Sequence, residues 1–480
     1  MYLTIQDLPL SYCLSKYTTM QECEQGVIVT SPRFQITISP LSPGLRQVML
    51  RLGQEARPVQ WINHAVLEVH DEHMLLTFYR YLSSLLRHQM ISICAYHTDH
   101  QAPLATLMPI SPSFQHQWVV VESEQMYRIS RFAYLRRDED GWNSLESPLS
   151  HCHIRLEHVE AASLIYCLGT ATSLSALNAS LFPEDRSAAG LLALLIMGNF
   201  VFPATSEGGI SAEENETLRQ WDFHDLLFHS RSREGRHNTP SGATYRFFQD
   251  IEPQPALKQS SWPDTHPLFR PDLEKRCQEE HGLTEVLETR TSWREYGQEP
   301  ITAVQLGEFL YRVARVKEVS QDKEAGDFTR RPYPGSGASY EMELYLTIDR
   351  CKDLPAGFYW YNPLKHALAQ IRPPNKETEK LLADACQATG EYARPQVLIT
   401  LAARFQRVSW KYQSIAYALI LKNVGVIYAT MYLVATAMNL APCALGSGNS
   451  DLFSTLADTD YYKETSVGEF ALGSRPEQLT

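Results

Sequence analysis

The sequence predicts an α+β protein of several domains, and three observations carry that reading. Its 480 residues exceed the roughly 100–200 of a typical domain. Short segments with period-two alternation are interspersed with helical runs. Pro253, Pro255, Pro263, Pro267 and Pro271 fall close together, marking an extended linker or wrapping arm between the first part of the chain and the last.

In the first part, Phe34 to Ile38 alternates as a strand, Leu45 to Leu52 reads as a short helix, Leu75 to Arg87 as a longer amphipathic helix, and Met90 to Tyr96 as a strand. A second stretch repeats the rhythm. Arg128 to Arg136 alternates, Asp138, Asp140 and Gly141 suggest a hairpin turn, and Cys152, Ile154 and Leu156 alternate again. Helices follow at Val159 to Leu168, Ser173 to Leu181 and Ser187 to Met197, and Asn199 to Pro203 closes the stretch as a strand. A strand pair, three short helices and a closing strand make a winged-helix-like arrangement. Reading DNA would require Lys or Arg on its second or third helix. Thr170 to Leu181 has neither, so peptide recognition is the functional expectation and a structural role the alternative. Residues 1–115 are expected to be a degenerate first copy, 116–215 the second module, 216–280 the linker or arm, and 281–480 a separate domain.

Composition narrows the class. Apolar residues make up 44% and charged residues 20%, an ordinary globular balance. With 43 basic and 55 acidic side chains the formal charge is −12, which argues against a general nucleic-acid binder. Nine cysteines without CxxC spacing fit a reducing compartment, hence a cytoplasmic location. The N-terminus lacks a basic region followed by an apolar run. Ile415 to Leu440 is long and apolar enough to span a bilayer. Lys422 and Asn423 sit well inside it, where polarity is expensive in lipid, so a core or interface helix is expected and no membrane.

The chemistry-bearing motifs lie late in the chain. LETRTSWREYG places Arg290, Ser292 and Arg294 close together; two guanidinium forks flanking a hydroxyl suit a phosphate, although a solvated helix end reads the same way. In RPYPGSGASYEMELY, Pro334, Gly335, Ser336 and Gly337 form a small-residue loop that lets backbone amides approach a flat ring or an anion. Leu354 to Tyr361 and Val397 to Ala402 read as strands. Arg404 to Tyr412 sets Lys411 beside Tyr412 ahead of the apolar helix. Gly446, Ser447 and Gly448 make a second small-residue loop, and VGEFALGSRP closes the series with Arg475. In His151-Cys152-His153, strand alternation sends Cys152 opposite to both histidines, so a core cysteine is expected. His224, His229 and His237 would cap structure or border a site. No metal is expected, and neither a Walker loop, a GxSxG elbow, an HExxH motif nor a strand-borne GxGxxG occurs.

In this order the motifs resemble the nitroreductase superfamily, and more narrowly the SagB-type azoline dehydrogenases and their cyanobactin oxidases. The resemblance covers about residues 220–480 and includes FHDLLFHSRSR from Phe223 to Arg233. It implies a homodimeric nitroreductase fold with FMN at the subunit interface, acting on thiazolines or oxazolines of a ribosomally made precursor peptide. A cyclodehydratase is the implied partner, and the N-terminal modules resemble leader-peptide recognition elements. By the same resemblance Arg290, Ser292 and Arg294 would hold the FMN phosphate and ribityl chain, with Arg475 adding a phosphate contact. Pro334, Gly335, Ser336 and Gly337 would line the isoalloxazine edge, and Gly446, Ser447 and Gly448 would pack near it from the other side. Many members read PSGG where this chain reads PGSG, which displaces the serine by one place. Lys411 and Tyr412 match a lysine–tyrosine pair required in azoline dehydrogenases. A lysine desolvated beside an apolar helix can act as a base or polarise its neighbour; a lysine snorkelling at a helix start is the structural alternative. The rival functions are an NAD(P)H-dependent nitro- or quinone reductase and a non-catalytic peptide-binding subunit.

Overall fold

The computed structural model describes residues 2–3, 8–97, 102–183, 187–322 and 326–477. The chain divides into two compact units, Met1–Thr239 and Pro240–Thr480.

The first unit is built on a seven-stranded antiparallel sheet. Its strands run in the order Tyr134–Arg137, Asn143–Glu146, Cys152–Leu156, Pro103–Pro109, Ile91–Tyr96, Leu10–Leu14 and Arg57–Pro58. Both expected modules contribute to this one sheet, since Cys152–Leu156 pairs directly with Pro103–Pro109. The boundary expected at 115/116 therefore falls inside a continuous layer. Three helices come from each stretch: Pro43–Gln54, Val59–Leu67 and Glu72–Arg87, then Val159–Cys167, Leu174–Leu181 and Ser187–Met197. Their starts are capped as their sequences allow, by Ser42 on Leu45 N, Asp71 on Met74 N and Ser173 on Ala176 N. The helix Val59–Leu67 carries no start signal beyond Pro58, and no side chain caps it. The second helix trio lies with a small sheet in the order Thr172–Ser173, Met126–Ile129, Val201–Pro203.

The alternating run from Arg128 to Arg136 is not one strand. It breaks between Ile129 and Tyr134 because the buried Glu213 carboxylate accepts from the Ser130 hydroxyl and from Arg131 N, while Ser130 Oγ accepts from Phe132 N. Side-chain acceptors here displace the ladder bonds that alternation alone would favour.

The second unit is a three-layer sandwich. Its antiparallel sheet runs His266–Pro267, Ala367–Arg372, Gly357–Asn362, Met342–Ile348, Val397–Arg404, Glu464–Ser474, Leu440–Leu445. Strand alternation sorts Met342, Leu344, Leu346 and Ile348 onto one face and Tyr345 onto the other. On the first face pack Leu306, Phe309, Leu310 and Val313 of helix Ala303–Ala314 with Ile427 and Met431 of the long helix Ala416–Ala437. On the second pack Leu381, Leu382 and Ala385 of Lys376–Ala388 with Phe453 and Leu456 of Ser450–Ala457.

The proline-rich segment belongs with this unit. His266–Pro267 adds an edge strand to the sheet, where proline's missing donor costs no ladder bond. The Lys258 ammonium reaches both Glu464 (2.7 Å) and the Tyr345 hydroxyl (2.5 Å), and Arg404 donates to Pro255 O at 2.8 Å. Residues 240–280 thus form an arm held to the second unit.

Candidate functional site

The Lys411–Tyr412 pair follows a short helical turn, Gln406–Ser409, and precedes the long helix. Lys411 Nζ donates to Gly337 O at 3.2 Å. Gly337 has φ +54°, and a Cβ built there would stand 2.2 Å from Tyr412 Oη and 2.8 Å from Lys411 Nζ. Two motifs more than seventy residues apart thus meet atom to atom. Lys411 is half-buried rather than enclosed. It borders a cavity of about 280 Å³ whose walls include Tyr245, Phe328, Ala338, Arg407 and Trp410. Trp410 is fixed by donation from Nε1 to Ile251 O at 2.7 Å, so the arm helps to hold the pocket wall.

The small-residue loop itself is pinned at both ends. Ser336 donates from its backbone N and from Oγ to Asn423 Oδ1 at 3.1 and 2.9 Å, and Asn423 Nδ2 donates to Glu341 Oε1 at 2.8 Å. Arg407 donates to Ser339 O from Nε and Nη2. The displaced serine of PGSG is thus engaged with the long helix. Burial lifts the Glu341 carboxyl above its ordinary range, opposed by the Asn423 bond and then by Arg407 and Arg331.

The arginine motif lies at the other end of the long helix. Ser292 Oγ is 2.8 Å from Tyr432 Oη, and the Arg290 guanidinium sits over the Tyr432 ring at 5.2 Å. Trp293 N donates to Pro442 O, which lays this segment along strand Leu440–Leu445. Arg475 packs over the Trp293 ring at 4.7 Å and bonds Asn439, while its buried Nε finds no partner among the described residues. Arg290 and Arg294 are exposed and make no ion pair among the described residues. Exposed guanidinium groups without an ion pair among the described residues, a hydroxyl pair and a buried donor fit an anion such as a phosphate.

Gly446, Ser447 and Gly448 are exposed and lie apart from the Lys411 cavity. Ser447 and Gly448 line a separate recess with Asp384, Asp451 and Glu469, and a Cβ at Gly448 would stand 2.1 Å from the Glu469 carboxylate. The structure thus gathers Pro334–Gly337 with Lys411 and Tyr412, gathers Arg290, Ser292, Arg294 and Arg475 separately, and leaves Gly446–Gly448 in a third place.

Sequence reasoning missed Asn423 in its structural role, as well as Glu341 and Tyr432. A polar residue inside an otherwise apolar helix was the available signal. The core reading of Cys152 holds: it is fully buried, and burial pushes its thiol up to about 12. His224 and His229 lie on the first unit's helix Phe223–Arg231, with His229 stacked on Trp221.

Residues 287–474 match the nitroreductase family model, and residues 127–238 match that of the cyanobactin oxidase ThcOx. MJ1384, a nitroreductase-like protein of Methanocaldococcus jannaschii, is 28% identical over 184 residues, covering 38% of this chain and 85% of that protein. The microcin B17-processing protein McbC of Escherichia coli is 29% identical over 116 residues, covering 23% of this chain and only 42% of McbC. The solved E. coli microcin synthetase McbBCD complex with truncated pro-MccB17 bound is also similar. Its TM-score is 0.32 at 17% identity, covering 57% of this chain and 100% of that one. By class, then, the second unit is an oxidoreductase domain with the nitroreductase fold. Beside it, residues 127–238 are similar to the cyanobactin oxidase ThcOx, so the chain's likeness is to the SagB-type azoline oxidases of the nitroreductase superfamily.

Proposed function

We propose that this protein is an FMN-dependent oxidase that converts thiazolines or oxazolines in a ribosomally made peptide to thiazoles or oxazoles. The observation that carries the reading is the convergence at Gly337, where Lys411 Nζ and Tyr412 Oη meet a loop with no room for a side chain. Aromatising an azoline removes a hydride and a proton from neighbouring ring carbons. When bound, FMN supplies the hydride acceptor. The chain's own task is the proton: Lys411 and Tyr412 take it, with the lysine head group aimed by the Gly337 carbonyl. Tyr245, Phe328 and Trp410 give the pocket flat apolar walls suited to a five-membered heterocycle and to excluding water.

Arg290, Ser292, Arg294 and Arg475 would hold the cofactor's phosphate, and Pro334 to Gly337 would meet its ring edge. Asn423 and Tyr432, which anchor these two groups, are nine residues apart on one helix. At about 100° per residue they point to opposite sides of it, which favours a site completed by a second copy. The long helix supports the same homodimer. Its mean hydropathy reaches 1.6, yet only 33% of that apolar window is buried. Tyr417 and Leu421 are exposed, and nothing lies within 4 Å of a Cβ at Gly425, an apolar face with a small-residue gap that suits helix packing.

The first unit is read as the peptide-recognition part, acting in the cytoplasm on a precursor already cyclised by a cyclodehydratase. A groove bordered by Arg128, Arg131, Glu213, Glu214 and Arg219 offers it backbone and mixed-charge contacts. The test is an anaerobic absorbance experiment. A yellow protein that bleaches on addition of a thiazoline-containing peptide supports the proposal. Bleaching by NADH alone makes the protein a nitro- or quinone reductase, and bleaching by neither makes it a binding subunit.

A further inference from the structure

The long helix is apolar along most of its length, yet it buries Asn423 at 4% exposure against Glu341 at 1%. A buried carboxylate is costly, and one of its oxygens, Oε2, has no partner among the described residues. The bonds explain what the pair holds. Ser336 N can only donate, so the Asn423 atom facing it at 3.1 Å has to be the amide oxygen. The amide nitrogen then points at Glu341 and requires an acceptor. The Glu341 carboxylate supplies an acceptor oxygen at that place and so holds the amide in this orientation. Without Glu341, the amide could turn and set a donor against a donor at Ser336.

The loop so held does not relax into this shape unaided. Gly337, Ala338 and Tyr340 have φ of +54°, +54° and +44°, and two of these residues carry a Cβ. Strained backbone of this kind persists only where its surroundings over-determine it. Its output is the position of Gly337 O, the acceptor of Lys411 Nζ.

We propose that Glu341 and Asn423 are positioning residues, which lock Ser336–Gly337 in the one conformation that aims Lys411 at the reacting ring. This rests on the azoline-oxidase reading for its catalytic meaning, but the lock can be tested without it. The test uses full-length Glu341→Ala, Glu341→Gln, Asn423→Ala and wild-type protein. The first readout is amide hydrogen exchange over residues 334–340, which needs no substrate. Exchange there should quicken in Glu341→Ala and Asn423→Ala, remain slow in Glu341→Gln, which keeps an acceptor oxygen, and stay unchanged in strand Val397–Arg404. The second readout is turnover of a thiazoline peptide. In the two alanine variants kcat should fall about ten- to a hundred-fold with KM changed less than about three-fold and flavin retained, and Glu341→Gln should recover most of it. Unchanged exchange in Asn423→Ala, or a Glu341→Gln variant as impaired as Glu341→Ala, overturns the lock. Should an alanine variant fail to fold, the glutamine variant and its exchange pattern decide the matter. A wild-type protein that ignores azolines while the exchange pattern appears as expected sinks the proposed activity and leaves the lock standing.

Discussion

Gly337→Ala separates chemistry from folding. The new methyl would stand 2.2 Å from Tyr412 Oη and 2.8 Å from Lys411 Nζ, whereas an ordinary contact needs about 3.4 Å or more. The tyrosine hydroxyl must therefore retreat by about 1.2 Å and Lys411 Nζ by about 0.6 Å. Both are the far ends of flexible side chains, so the backbone need not move. The stability cost is then mainly that of an alanine at φ +54°, about 1–2 kcal/mol. For a unit of this size that lowers Tm by only a few degrees. The displaced atoms are the two assigned to the proton, and a misplacement of about 1 Å can cost about a hundred-fold in rate. The variant should melt within a few degrees of wild type, bind FMN, and oxidise a thiazoline peptide about a hundred-fold more slowly under saturating substrate. Wild-type turnover in a folded, yellow Gly337→Ala protein would refute the placement of Lys411 and Tyr412 at the reaction.

Other expectations follow from the same geometry. Lys411→Ala should keep the flavin and lose turnover, as read from the visible spectrum beside an oxidation assay; full activity removes the lysine from the mechanism. Arg294→Ala deletes an exposed guanidinium with no ion partner among the described residues. Losing one charge-assisted contact of about 1.5–3 kcal/mol should weaken FMN about ten- to a hundred-fold in a fluorescence titration, and unchanged affinity would move the phosphate elsewhere. In the first unit, burial drives His153 down to about 4, against the pull of Glu146. Its protonation therefore favours the unfolded chain, where histidine titrates near 6.5. The stabilisation is complete above about pH 6.5 and fades as pH falls towards 4, amounting to about 3 kcal/mol. Calorimetry between pH 7 and 4 should show a loss to which His116, also driven down to about 4 by burial, adds its own part, and His153→Gln should remove only the His153 share.

Much of the secondary structure was legible because its periods are clean. Glu72–Arg87 buries one face and Cys152–Leu156 buries alternate residues, so burial and period agree there, whereas Ser187–Met197 and Val397–Arg404 are buried nearly all round and were legible as compact apolar runs. What escaped was non-local. The pairing of Cys152–Leu156 with Pro103–Pro109 joins two sequence repeats into one sheet, and nothing in either segment names its partner. Glu213 interrupts an alternating strand from eighty-two residues away. At the site, PGSG and the Lys411–Tyr412 pair were readable as chemistry, since glycine permissiveness and a base beside an apolar helix are local properties. Their supports were not: Asn423 looked like an obstacle to a membrane span, and Glu341 like one acidic residue in a strand-forming run. Their roles exist only because the loop and the helix touch.

The proline-rich arm has a bearing on modularity. Its residues supply an edge strand, an acceptor for Trp410 and a partner for Glu464, so the oxidising half is complete only from about Pro240 onward. A recombination between relatives at residue 281 would set another protein's arm against this sheet edge and pocket wall, whereas an exchange near 239 would carry the matching arm along. Swapping first units between such proteins, in the laboratory or by descent, should therefore succeed better at the earlier junction than at the later one.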